Sequence, residues 1–69
     1  MNIMNSKLIT TSIEAHKARL RYEEQRAVTA ITEQQYAIAV MALSDAAKLK
    51  GAIEELEFIL DSMEAGGQA

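Results

Sequence analysis

Apolar residues recur every three or four positions along most of this chain, and the recurrence is interrupted once, at Thr32-Glu33-Gln34-Gln35. At about 100° per residue, the first element brings Ile9, Ile13, His16, Leu20, Ala27 and Ile31 onto one side. The second element carries a longer stripe of Ile38, Ala42, Ala46, Leu49, Ile53, Leu56, Leu60 and Met63. Together they predict an all-α fold, an antiparallel two-helix hairpin with helix 1 over about 5–30 and helix 2 over about 33–64. Small residues come first along the second stripe and branched ones later. Alanine beside the connection permits close approach, and the larger side chains fill a gap that widens away from it.

The interruption reads as a helix start. Thr32 is placed to cap the amide of Gln35, Gln35 to reach back to Thr32, and Ile31 to pack on Tyr36, the pattern of a capping box with a hydrophobic staple. The start of helix 1 has two candidates, Asn5 or Ser6 as cap and a second box at Thr11 and Glu14; the spacing of Met4, Leu8 and Ile9 favours the earlier one. Gly51 marks a kink, a close backbone contact or a tolerated surface position. Gly66-Gly67 ends helix 2 and leaves 65–69 as a frayed tail.

Each helix shows more apolar surface than a hairpin can hide. Met4, Leu8, Ala15, Ala18 and Tyr22 form a second stripe on helix 1, and Tyr36, Val40, Leu43 and Ala47 form one on helix 2, with Phe58 near its extension. Pairing of two hairpins into a dimeric four-helix bundle covers such stripes. The expected hairpin and dimer core is thus Ile9, Ile13, Leu20, Tyr36, Val40, Leu43, Leu49, Ile53, Leu56 and Leu60.

Length strengthens that expectation. At 69 residues with no cysteine, one small core must serve without disulfides, and self-association is the common remedy. No proline interrupts the helices. The longest apolar run, Tyr36 to Leu43, has eight residues, against roughly 18 or more for a bilayer span. The N-terminus has no basic region followed by a sustained apolar stretch, so no secretory signal and no membrane partner is expected, and the cytoplasm is the default location.

Charge alters the picture mildly. Helix 1 carries Lys7, Lys17, Arg19, Arg21 and Arg26 against three glutamates, whereas residues 51–69 hold only acids. Ion pairs between the helices or steering toward a partner both fit this asymmetry. With a net charge of −3 and basic residues interrupted by acids, nucleic acid is not an expected partner. No enzyme, cofactor or metal site is expected. His16 is the only histidine, lies on the core stripe, and has no nucleophile or carboxylate relay placed by sequence.

What remains is recognition of another protein. Tyr22 between Arg19 and Arg26 has the tyrosine and arginine composition of interface hot spots, and Phe58 with Ile59 is a second candidate beside Glu55 and Glu57. The bland alternatives are a tyrosine at the bundle edge, with its arginines bridging Glu23 or a neighbouring chain, and a Phe58–Ile59 pair that completes the dimer core.

In size and inferred build the chain resembles small phage-encoded helical-hairpin inhibitor proteins, including the anti-activator of bacterial quorum sensing. That resemblance implies a dimeric inhibitor that occludes a host regulatory protein, and it carries no functional residues onto this sequence. A second likeness rests on Glu33-Gln34-Gln35-Tyr36 and on residues 52–60, which are similar to the hairpin co-chaperones of type III secretion needle subunits. It implies an obligate heterocomplex, although the alanine-rich first half of helix 2 departs from that family.

Overall fold

The computed structural model describes the backbone of residues 2–68 and the side chains of residues 6–66. Its two elements are α1 (Asn2–Thr32) and α2 (Tyr36–Gln68), packed along their length as an antiparallel hairpin. Helix α1 starts at Asn2, ahead of the start expected at about 5, so Asn5 and Ser6 lie within the helix and neither is its N-cap, and the second box at Thr11 and Glu14 is likewise internal; the Met4 side chain lies outside the described residues. Helix α2 runs through Gly66 to Gln68, beyond the stop expected at 64, and Ala69 lies outside the described residues. No helix among the described residues is long and apolar enough to cross a membrane.

The connection differs from the capping box. Thr32 is the last residue of α1, and its hydroxyl donates to the Val28 carbonyl one turn back at 2.9 Å. A helical threonine commonly satisfies its hydroxyl in this way. Gln34 takes the left-handed conformation with φ 61°. The Gln35 amide donates to Ala30 O at 2.7 Å and the Gln34 amide to Ile31 O at 3.0 Å, the paired bonds of a Schellman C-cap. Ala39 N then donates to Gln35 O at 3.0 Å, so Gln35 rather than Thr32 is the N-cap of α2. Thus the segment between the helices closes α1 and does not open α2 through a threonine cap.

Alanine dictates how the helices meet at this end. Ala27, Ala30, Ala39, Ala42 and Ala46 are buried, Ala42 with 0% of its surface exposed. Backbones that approach over methyl groups leave no room for isoleucine, so Ile31 and Ile38 stand outside the contact and Ala30 and Ala39 take their places. Farther from the turn larger side chains occupy the seam. Ile13 and Ile53 are buried there, and Ile9, His16, Leu20, Leu49, Leu56, Leu60 and Met63 are half-buried. Burial of each large side chain stabilises by about 1.5–3 kcal/mol when complete, and here it is mostly incomplete. Tyr36, Val40 and Leu43 belong to no core of the single hairpin, because all three are exposed.

The resulting rod measures 53 × 14 × 11 Å with a radius of gyration of 15.7 Å, against about 11 Å for a compact chain of this length. Gly51 has open space around it, with nothing within 4 Å of an added Cβ, so it is a tolerated surface position without a close contact.

Two stability tests follow. Replacing Gln34 by glycine relieves the left-handed strain and raises stability by about 0.5–1 kcal/mol, whereas Thr32→Ala changes it by no more than a few tenths. A capping box predicts instead a loss of about 1 kcal/mol for Thr32→Ala. Urea titrations followed by helical circular dichroism, at one fixed chain concentration, separate the two. In the same assay Gly51→Ala adds about 0.5–1 kcal/mol, while Ala42→Leu, which overfills the closest approach, removes about 1–3 kcal/mol.

Candidate interaction surfaces

The hairpin presents two long flanks, and the interhelical ion pairs identify one of them. Lys17 Nζ lies 3.5 Å from Glu57 Oε2, and Lys50 Nζ lies 3.8 Å from Glu24 Oε2. Both pairs are solvent-exposed, which limits each to a few tenths of a kcal/mol. The first sets a base of α1 on an acid of α2, and the second sets a base of α2 on an acid of α1. A shallow groove on this flank is lined by Lys17, Leu20, Arg21, Lys50, Ile53, Glu54 and Glu57.

The opposite flank holds the Tyr22 candidate. Tyr22, Gln25, Arg26, Thr29 and Ala30 of α1 line a shallow groove of about 420 Å³ together with Gln35 of the connection and Ile38 of α2. Tyr22 leaves 66% of its surface exposed. The α1 residues follow from i, i+3, i+4 and i+7 spacing, and Ile38 joins them because alanine has displaced it from the core. Arg19 is exposed and is not among the lining residues. Of the three residues proposed from sequence, therefore, Tyr22 and Arg26 converge and Arg19 lies outside the groove.

Arg26 is anchored from below by Glu23, a residue whose charge alone would place it on the surface. Glu23 is buried, and its Oε1 accepts a hydrogen bond from Arg26 Nη1 at 3.0 Å. Its side chain is 7% exposed against 32% for Arg26. The signal was present in the spacing. Glu23 follows Leu20 by three and precedes Ala27 by four, so it fills a gap in the inward stripe that its charge disguised. No buried side-chain polar atom among the described residues lacks a partner, which means the arginine completes the carboxylate. This is one half of the expected alternative in which the arginines bridge Glu23; no ion pair of Arg19 occurs among the described residues.

Phe58 and Ile59 line a separate depression with Glu54 and Glu55. Phe58 is the most exposed large apolar residue described, at 72%. The structure does not join this patch to the Tyr22 groove.

His16 is half-buried, and its Nδ1 sits 2.7 Å from the Ser12 carbonyl, the geometry of an Nδ1–H donating to its own helix one turn back. The Ser12 hydroxyl is 3.5 Å from the same nitrogen. This local bond fixes the ring against its own helix, as fits a residue at the edge of the core. No group of three or more His, Cys, Asp or Glu side chains among the described residues is placed to hold a metal ion.

The buried ion pair has a measurable signature. Arg26→Ala strands the Glu23 carboxylate and costs about 2–4 kcal/mol, whereas Glu23→Leu is neutral or stabilising. In a Glu23→Leu background, Arg26→Ala loses most of its effect. Chemical denaturation of the four proteins of this double-mutant cycle gives the coupling directly.

No protein-family model, no curated protein and no solved structure matches this chain.

Proposed function

We propose that this hairpin works by binding other proteins rather than by catalysis, and that it is a homodimeric inhibitor of the phage anti-activator type, which occludes a host regulatory protein. The observation that carries the reading is the amount of large apolar surface left uncovered by the hairpin. Among the described residues eleven large hydrophobic side chains are exposed, including Tyr22, Phe58 and Ile59. In a folded chain such surface marks interaction sites. The Tyr22–Arg26 groove supplies the target-binding centre. An aromatic ring beside an arginine already oriented by Glu23 loses little freedom on binding, which is the composition and preorganisation of a hot spot.

Electrostatics favour a protein target over nucleic acid. Lys17, Arg26 and Lys50, three of the seven cations, each stand beside a carboxylate, and the net charge of −3 opposes the approach of a polyanion.

The test begins with capture of bound proteins from a bacterial lysate on the immobilised chain, and continues with the purified captured protein. Saturating hairpin is expected to abolish that protein's DNA-binding or ATPase activity. The variant Tyr22→Ala is expected to keep the helicity and molar mass of the parent while it weakens binding tenfold or more, the loss typical of hot-spot residues. Unchanged binding by this variant removes the groove from the target site. Retained or enhanced stability of a captured helical protein, with no inhibition, moves the function to a co-chaperone or adaptor.

A further inference from the structure

The flank opposite the Tyr22 groove changes character along its length, and the change falls at the Glu24–Lys50 pair. On the distal side of that pair, α1 presents Lys17 and Arg21, and α2 presents Glu54 and Glu57. On the turn side the same two ridges continue with Val28 and Ile31 on α1 and with Leu43, Val40 and Tyr36 on α2, all exposed. The ridges are continuous because the spacing is helical throughout: 17, 21, 24, 28, 31 on one helix and 36, 40, 43, 47, 50, 54, 57 on the other. Of the eleven exposed large hydrophobics among the described residues, seven lie between Val28 and Leu43, and Glu33 is the one charged residue between Ala27 and Ser44.

We infer that this flank is the self-association surface, and that a second copy of the chain lies along it with both turns at the same end, related by a two-fold axis parallel to the rod. The inference rests on the homodimer of the proposed function and assigns its face and its orientation.

Three observations select a second copy in that orientation. First, the chain exposes 5177 Å², whereas a compact monomer of 7.6 kDa exposes about 4,300 Å². The excess of roughly 900 Å² belongs to the elongated rod as a whole, and it leaves each chain surface enough to supply the ~800 Å² that one partner contributes to a standard interface. Second, a patch depleted of charge matches itself without stranding an ion, and such depletion characterises homodimer cores. Third, the charges fit. Within one chain Lys17 stands level with Glu57 and Glu24 with Lys50.

Rotation about an axis along the rod sets α1 of one copy against α2 of the other at those same heights. Lys17 then faces the second copy's Glu57, Arg21 its Glu54, and Glu24 its Lys50, while Val28 and Ile31 meet Leu43 and Tyr36. A full-length antiparallel arrangement instead lays each apolar turn half on the partner's charged half. It loses both matches. The side-by-side dimer leaves the Tyr22–Arg26 groove on the outside of each protomer, accessible to a target.

The chain has no cysteine, so single-cysteine labels report cleanly. Light scattering after size exclusion is expected to give twice 7.6 kDa for the parent. Leu43→Asp is expected to give the monomer mass with helicity retained. The matched control Met41→Asp, exposed to a similar degree (57% against 52%) but rotated about 200° away on the same helix, is expected to remain dimeric.

Spin labels at Glu33→Cys and, separately, at Ala65→Cys are each expected to show inter-protomer distances below about 30 Å, two to three helix diameters. A parent that is monomeric at every concentration overturns both the inference and the homodimer beneath it. A dimer that survives Leu43→Asp overturns the face and leaves the dimer standing. Ala65→Cys labels separated by the 53 Å rod length or more overturn the orientation alone. If Leu43→Asp loses helicity, Val28→Asp on α1 of the same flank takes its place, with the same two outcomes.

Discussion

The close approach of α1 and α2 over alanine methyl groups sets every other feature of this hairpin. Ala27, Ala30, Ala39, Ala42 and Ala46 let the two backbones lie near each other just beyond the connection. That proximity suits a connection of three residues, Glu33 to Gln35, whose amides turn back onto Ala30 and Ile31. The same proximity expels isoleucine. Ile31 and Ile38 carry the apolar area that a wider interface would have buried, and they hold it at the surface instead. A thin seam and an apolar exterior are therefore one consequence of one packing choice, since a methyl contact hides little area and a close approach admits nothing larger.

The two flanks of the seam are chemically unlike. One carries exposed ion pairs and then, toward the turn, an uninterrupted apolar surface. The other carries the buried Glu23, tied to Arg26 at 3.0 Å, and the groove that Tyr22 and Ile38 share with that arginine. A buried carboxylate with a single charged partner adds little net stability, because desolvation offsets most of the Coulomb attraction. Its effect is positional: both residues belong to α1, three apart, and the carboxylate fixes the guanidinium beside Tyr22. The two flanks thus differ in what they expose, one with charges that give way to apolar residues toward the turn and the other with a polar-edged groove.

Much of this was legible in the residues. Helix content, the hairpin, and the gradient from alanine near the turn to Ile13, Ile53 and Leu60 farther out follow from spacing and side-chain volume, and the structure reproduces them. The connection was not legible. A Schellman cap usually announces itself by glycine or asparagine at the left-handed position, and here Gln34 occupies it, while Thr32 and Gln35 imitate a capping box three residues apart. Ile31 and Ile38 were assigned inward because hydrophobicity outranks alanine on any stripe. Glu23 was assigned outward for the opposite reason. At the candidate site, spacing alone grouped Tyr22 with both arginines, and only the packing of α2 against α1 separated Arg19 from the groove and added Ile38 to it.

The sequence by itself determined that two long helices form and fold back on each other, because apolar periodicity, absent proline and an interrupting polar segment act within a few residues of one another. It also determined that apolar surface exceeds what one hairpin can cover, since that is a count of residues per helical face. Only the tertiary structure decided which of two adjacent positions enters the seam, Ala30 or Ile31 and Ala39 or Ile38. That choice depends on the distance between backbones, a quantity to which both helices contribute at once and which no local pattern encodes. The sorting of the surface into a flank with interhelical ion pairs and a groove around Tyr22 follows from the same packing, because it fixes which residues of α1 stand level with which residues of α2.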